Sequence, residues 1–269
     1  MREDAICAAL YRARASKLRA EASQISTPRE RKRILGLADE CDWRASSLEA
    51  AIAFRFGTIA GEPTNALEKL VPLVAHHEAG HAIALWLGAR SLDLSIKNAG
   101  LISIQIPSAS QLEVTFSGGA PPIGFCGTTT YDNAAWVKSN ASQRSIGAAL
   151  AVQALAGLVT EHRFLREADA RFTLTLREYL AQTSDDQKLS RAECDAAFRA
   201  GHDVPDMDRM RWFADIAGCT EPYIVSRASE YIRMPRAWRA IKALAEALSR
   251  QNTMVGEEAT RIIESAWNS

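Results

Sequence analysis

The pentapeptide His77-Glu78-Ala79-Gly80-His81 constrains this chain more than any other segment. It lies in a largely apolar run, residues 74–87, whose pattern predicts a helix. Residues four apart share one face of a helix, so His77 and His81 can offer two imidazoles to one Zn²⁺. Glu78 lies about 100° further around the helix, where it can take a proton from an attacking water. The spacing His-Glu-x-x-His is typical of metalloproteases.

A buried helix could also carry these three residues by accident. With five histidines in the chain, the spacing arises by chance at most about once in a hundred such sequences. Apolar residues flank the segment on both sides, for example Val74 and Ile83. An unpaired carboxylate buried among them is costly. A metal and a water would offset that cost, which favours a metal site.

Three segments resemble one known family. The pentapeptide and its neighbours resemble the zinc helix of the FtsH-like peptidases, the proteolytic domain of membrane-anchored AAA proteases. Residues 154–161 resemble a second helix of that family, although Leu158 stands where arginine is usual. Residues 240–248 and 253–258 resemble its C-terminal segment, so the resemblance covers roughly residues 70–267. It implies a zinc metallopeptidase, a hydrolase with Zn²⁺ as cofactor, His77 and His81 as ligands and Glu78 as general base.

Catalytic zinc usually takes three protein ligands, so a third must be found beside the two histidines. The sequence constrains this third ligand less than the histidine pair. The resemblance implies an aspartate at a helix start, followed by small or apolar residues at about +4 and +8. Asp206 fits best, with Met210 and Ala214 at those offsets. Glu161 is interpreted as orienting a histidine, with a ligand role as the alternative. Other aspartates remain candidates, although acidic residues also cap helices routinely: Asp185, Asp186, Asp203 and Asp208.

Composition restricts the partners. Lys+Arg and Asp+Glu number 32 each, and this balance argues against a nucleic-acid binder. The five cysteines are scattered and form no Cys-x-x-Cys pair, which is typical of a reducing cytoplasm. No window approaches the roughly 18 apolar residues of a membrane helix, and the N-terminus lacks a signal-peptide core. We therefore expect a cytoplasmic protein without a membrane span.

A phosphate-binding Gly-x-x-x-x-Gly-Lys loop is also missing from the sequence. We therefore expect no ATPase within the chain, and hydrolysis limited to unfolded or flexible polypeptides. The sequence leaves open whether the chain forms homo-oligomers or associates with a separate ATPase chain. The alternative function is a non-catalytic peptidase-like protein that binds peptides or partner proteins. A carboxylate close to both histidines discriminates between the two functions.

The pattern predicts a mainly α protein with a small β-sheet or hairpin (α+β). We expect an N-terminal helical hairpin over residues 1–56, a linker over 57–66 and a zincin-like helical peptidase domain over 67–269. Thr27, Pro28 and Glu30 form a capping box at the start of the second hairpin helix. The hairpin can serve as an adaptor or dimerisation arm, or pack on its own peptidase domain.

The elements after the linker follow from periodicity and turn residues. The helix of the pentapeptide should end at Gly88, and residues 91–96 and 101–106 should pair as a β-hairpin around 98–100. Further strands are predicted at 112–116 and within 125–131. In zinc peptidases with such a helix, a strand beside the cleft commonly binds extended substrates by β-addition; the alternative is a sheet that only covers the helices. Helices are predicted over 142–166, 185–200, 206–217, 221–250 with a break near Pro235, and 257–267.

Overall fold

A computed structural model describes residues 14–25, 27–28, 31–35, 38, 64–107, 127–168, 172–183, 189–200 and 204–269, with only the backbone of 64–70 and 182–183. Contacts divide the chain into two compact units. The first comprises Met1–Leu70 and Ser108–Phe125, and the second comprises Val71–Pro107 and Cys126–Ser269. The histidine pentapeptide belongs to the second unit.

In the first unit, helical residues lie on both sides of the predicted turn, at 14–24 and 31–35. The Thr27 carbonyl accepts a hydrogen bond from the Arg31 amide, so a helix starts where the capping residues predict one. Ala15 and Ala38 are fully buried in one cluster, against which Leu18 packs. Glu30, the last member of the predicted capping box, lies outside the described residues.

The second unit is built mainly from helices. Their bounds are α1 Thr64–Ser91, of which residues 71–91 belong to this unit, α2 Asn133–Val137, α3 Gln143–Ala168, α4 Leu176–Thr183, α5 Arg191–Ala200, α6 Asp206–Ala217, α7 Glu221–Arg233, α8 Pro235–Gln251 and α9 Gly256–Asn268. The strands are β1 Leu101–Gln105, β2 Thr128–Tyr131 and β3 Thr253–Val255. This composition confirms the predicted mainly α fold with a small β-sheet.

The strands form one antiparallel sheet in the order β2-β1-β3. Ile104 at the centre faces Thr129 on one side and Met254 on the other, and all three side chains are buried. The strand predicted within 125–131 is confirmed as β2. The strand predicted at 112–116 lies outside the described residues, and β3 was not predicted.

The predicted hairpin around residues 98–100 is wrong. α1 continues to Ser91, three residues beyond the predicted end at Gly88, and Leu92 N and Ser91 Oγ both donate to the Gly88 carbonyl. Residues 97–100 then form a short 3₁₀ turn in which Asn98, Ala99 and Gly100 have positive φ. The chain therefore enters β1 from a turn, and β1 pairs with strands distant in sequence.

The helices predicted over 142–166, 206–217 and 257–267 are confirmed within two residues at each end, and the break near Pro235 separates α7 from α8. The helix predicted over 185–200 starts too early, because residues 189 and 190 are not helical. Ser190 and Glu193 cap the start of α5 reciprocally: Ser190 N donates to Glu193 Oε2 at 2.7 Å, and Glu193 N donates to Ser190 Oγ at 3.3 Å. Of the predicted linker, residues 64–66 belong to α1, and the rest lies outside the described residues.

α1 is the central helix of the second unit, and every residue from His77 to Ala89 is buried. Such a helix must pack on all sides, which its nearly continuous apolar sequence allows. It contacts α3 closely at Gly80, where a Cβ atom would lie 2.7 Å from the Ala156 carbonyl oxygen. This approach brings the polar residues of α3 up to the histidines of α1. Among the described helices, none has both the length and the apolar character needed to cross a membrane.

Candidate metal centre

His77 and His81 lie on one face of α1, as their spacing predicts. Both side chains are 3% exposed, and their rings meet edge to face with centroids 4.7 Å apart. The two Nε2 atoms are 3.0 Å apart. The two buried imidazoles thus direct their Nε2 atoms into one small volume.

Groups on α3 set the orientation of both rings. Glu161 Oε2 lies 3.1 Å from His77 Nδ1, and the Gln153 carbonyl oxygen lies 2.7 Å from His81 Nδ1. Each partner is a hydrogen-bond acceptor, so each Nδ1 carries the proton and donates it. In the neutral rings, both Nε2 atoms therefore present lone pairs. This pattern is the usual support of a metal-binding histidine.

A carboxylate completes the cluster from the first residue of α6. Asp206 Oδ2 lies 2.9 Å from His77 Nε2 and 3.2 Å from His81 Nε2. The Asp206 side chain is 19% exposed, so burial tends to raise its pKa. The neighbouring imidazoles of His81 and His77 outweigh burial and hold the pKa of Asp206 well below its usual range, because their protonated forms attract and hydrogen-bond its carboxylate. Asp206 is therefore ionised at neutral pH.

The other acidic candidates lie elsewhere or outside the described residues. Glu161 contacts the Nδ1 side of His77, away from the Nε2 atoms, which matches the orienting role that the sequence favours. Asp208 is buried but accepts hydrogen bonds from Arg211 Nη1 at 3.2 Å and from the Leu189 amide at 3.4 Å. Asp185, Asp186 and Asp203 are not among the described residues.

The donor atoms fit a bound cation. His77 Nε2, His81 Nε2 and Asp206 Oδ2 are mutually separated by 2.9–3.2 Å, and in the neutral rings all three are acceptors. Three electron-rich atoms repel each other at such distances unless a proton or a metal cation lies between them. Two imidazoles and one carboxylate are the ligand types that Zn²⁺ takes in catalytic sites. The set therefore fits the metal that the sequence predicts.

Gly157 on α3 keeps the space beside the donor atoms open. A Cβ atom at this position would lie 2.5 Å from His81 Nε2 and 2.6 Å from His77 Nε2. No side chain larger than hydrogen fits without displacing the imidazoles. The sequence contains Gly157 within the second family-like segment, but only the packing of α3 on α1 reveals what it does.

Glu78 lies beside the same cluster. It is 2% exposed, and a carboxylate oxygen lies within 4.8 Å of ligand nitrogens of both histidines. Glu78 could therefore also reach a metal. Asp206 Oδ2 lies 2.9 and 3.2 Å from the two Nε2 atoms, and Glu78 Oε2 accepts a hydrogen bond from the Thr129 hydroxyl at 2.7 Å. Two carboxylates thus lie beside the histidine pair, one in contact with both Nε2 atoms and one held by Thr129.

The two other histidines that the structure describes, His76 and His162, play no part in this cluster. His76 Nδ1 donates to the Pro72 carbonyl at 2.7 Å, the ring stacks on Phe164 with centroids 4.1 Å apart, and burial lowers its pKa. His162 Nε2 pairs with the Leu174 carbonyl at 2.9 Å. His202 lies outside the described residues.

Replacing Gly157 by alanine should disrupt the centre without unfolding α3. The added methyl group would press on both Nε2 atoms, whereas alanine favours a helix over glycine by up to about 1 kcal/mol. We expect metal affinity to fall by about 10–100-fold, the range found when a group supporting a metal ligand is altered. Metal content after dialysis against a chelator and thermal melting would measure both properties.

Gly88→Ala is the matched control, because a Cβ there meets only the Ala149 methyl group and the Trp136 ring at 3.3 Å. Unchanged metal affinity in Gly157→Ala would show that the donor atoms do not converge on a cation at this position.

No protein-family model and no curated protein matches this chain. What the protein does must therefore be inferred from the chemistry of its own residues.

Proposed function

We propose that this protein is a zinc-dependent metallopeptidase of the FtsH-like type that hydrolyses peptide bonds. The observation that carries the proposal is the convergence of His77 Nε2, His81 Nε2 and Asp206 Oδ2 within 3.2 Å beside the buried carboxylate of Glu78. A carboxylate near both histidines is the feature that separates a catalytic from a non-catalytic protein. Its presence favours catalysis.

His77, His81 and Asp206 would hold the zinc ion. When bound, zinc supplies Lewis acidity, which makes water more acidic and polarises a carbonyl group. Glu161 and the Gln153 carbonyl keep both imidazoles in the tautomer that can bind a metal. Asp206 contributes one negative charge, which reduces the net charge of the loaded site.

Glu78 would act as the general base and later as the general acid. Its Oε2 accepts a hydrogen bond from the Thr129 hydroxyl, so Oε1 is the oxygen that we assign to the attacking water. Oε1 takes a proton from that water and passes it to the leaving amine when the C–N bond breaks. Both oxygens lie in a nearly water-free environment, where a fixed carboxylate needs little reorganisation.

The substrate class that the arrangement favours is extended polypeptide. β2 carries Thr129 and is an outer strand of the sheet that the described residues form, in the order β2-β1-β3, so a peptide could add to its edge and pass close to Glu78. β-Addition uses main-chain hydrogen bonds and tolerates many side chains, but it requires an unfolded segment. Opening a stable folded domain costs about 5–15 kcal/mol.

The purified protein should cleave unfolded casein and leave a stable folded protein intact, with no ATP in either reaction. A chelator should abolish casein cleavage, and added Zn²⁺ should restore it. Elemental analysis of the purified protein should find about one zinc per chain.

Cleavage that survives removal of the metal would overturn the proposal. So would casein binding without cleavage by the zinc-loaded protein, which is the behaviour of a non-catalytic peptide-binding protein. Stoichiometric iron in place of zinc would contradict the metal assignment, since two histidines and a carboxylate also suit non-haem iron.

A further inference from the structure

A threonine on β2 holds the carboxylate of Glu78. The Thr129 hydroxyl donates to Glu78 Oε2 at 2.7 Å and lies 3.3 Å from the Glu78 carbonyl oxygen. Thr129 is 8% exposed and Glu78 is 2% exposed, so water has little access to this contact. A short hydrogen bond in such surroundings is strong and directional.

The same strand restricts Glu78 at a second point. Gly127 precedes β2, and a Cβ atom there would lie 2.7 Å from Glu78 Cγ and 2.9 Å from Ile106 Cγ2. The strand can therefore approach Glu78 this closely only because residue 127 is glycine. Gly127 limits the position of the Glu78 methylene groups, and Thr129 limits the rotation of its carboxylate.

We propose that Thr129 is a positioning residue, which fixes the carboxylate plane of Glu78 so that Oε1 faces the reacting water. The inference rests on the proposed peptidase function and adds a specific role to β2. The terminal torsion of a glutamate is broad, so without the hydroxyl the carboxylate can rotate while remaining in place. A general base must lie within hydrogen-bond reach of the proton that it abstracts.

Two variants at Thr129 separate the hydroxyl from the shape of the side chain. Thr129→Val keeps the shape and removes the hydrogen bond, whereas Thr129→Ser keeps the hydroxyl and removes a methyl group. We expect Thr129→Val to lower kcat by about 10–100-fold, since small misplacements of catalytic groups cost up to about 10²-fold. KM and zinc content should remain unchanged, and Thr129→Ser should retain most of the rate. Thr253→Val, at an exposed position on β3, is the control.

If Thr129 only fills space, the order reverses, because serine leaves a gap and valine does not. A Thr129→Ser variant that is slower than Thr129→Val would therefore overturn the positioning role. So would a Thr129→Val variant that hydrolyses casein at the wild-type rate.

A second measurement needs no activity. In the metal-free protein, Thr129→Val should lower Tm by about 2–4 °C, the shift expected for the loss of one hydrogen bond in a domain of this size. In a Glu78→Ala background, where the acceptor Oε2 is gone, the same substitution should have at most half of that effect. An equal shift in both backgrounds would show that the hydroxyl and the carboxylate are not coupled, which overturns the inference.

The two measurements also separate this inference from the proposed function. If the wild-type protein hydrolyses no polypeptide and the Tm shifts are coupled, the peptidase proposal and the positioning role fall, while the contact itself stands. If hydrolysis proceeds and the shifts are uncoupled, the peptidase proposal stands and the positioning role of Thr129 falls.

Discussion

Glu78→Gln should abolish peptide hydrolysis and leave the metal bound. The amide has nearly the shape of the carboxylate, and its oxygen can still accept a hydrogen bond from the Thr129 hydroxyl. β2 should therefore keep its contact with α1. A neutral amide cannot take a proton from the attacking water. We expect kcat/KM on casein to fall by about 10²–10⁴-fold, the usual contribution of general base catalysis.

The measurements are casein cleavage, zinc content and Tm of the same preparation. Glu264→Gln, an exposed position on α9, is the matched control and should change none of them. A Glu78→Gln variant that retains zinc and hydrolyses casein at the wild-type rate would remove Glu78 as the general base, whatever the identity of the ligands.

Each of His77→Ala, His81→Ala and Asp206→Ala should remove stoichiometric zinc and, with it, hydrolysis. The three side chains supply the three atoms that converge within 3.2 Å, so the loss of any one leaves an incomplete set. For Asp206→Ala we expect zinc affinity to fall by at least about 10-fold, because loss of a ligand should cost no less than loss of a group that merely supports one. Competition with a chromogenic chelator measures that affinity.

Asp215→Ala is the matched control, because Asp215 lies on the same helix as Asp206 and is exposed. Asp185→Ala should also leave zinc binding nearly intact. Full zinc content in Asp206→Ala together with loss in Asp185→Ala would transfer the third-ligand role to Asp185. Full zinc content in both histidine variants would refute the site itself.

Local pattern alone determined much of the site. The spacing of His77 and His81 on a continuous apolar segment requires a common face once the segment is helical, and α1 has that form. The break before residue 206 and the apolar periodicity after it predict a helix whose first residue is Asp206, and α6 starts there. Both inferences depend only on helical geometry over a few turns, which neighbouring residues control.

Which strands pair with β1 could not be predicted from the local sequence pattern. Residues 91–96 have the composition of a strand, but Ser91 belongs to the last turn of α1. Residues 97–100 then form a turn with positive φ. β1 then pairs with β2 and β3, which lie about 25 and 150 residues further along the chain. Strand propensity describes a half-buried pleated surface and does not specify a partner, so such pairings follow from the packing of the whole unit.

The sequence by itself therefore determined a mainly helical protein with a histidine pair, an adjacent glutamate and an aspartate at a helix start. Only the tertiary structure brought the Gln153 carbonyl to His81, Gly157 to both Nε2 atoms and the Thr129 hydroxyl to Glu78. The reason is physical: periodicity reports which face of an element is buried, but not which atoms meet that face. A backbone carbonyl and a missing Cβ acquire a role only through contacts between elements distant in the chain, and such contacts leave no local signal.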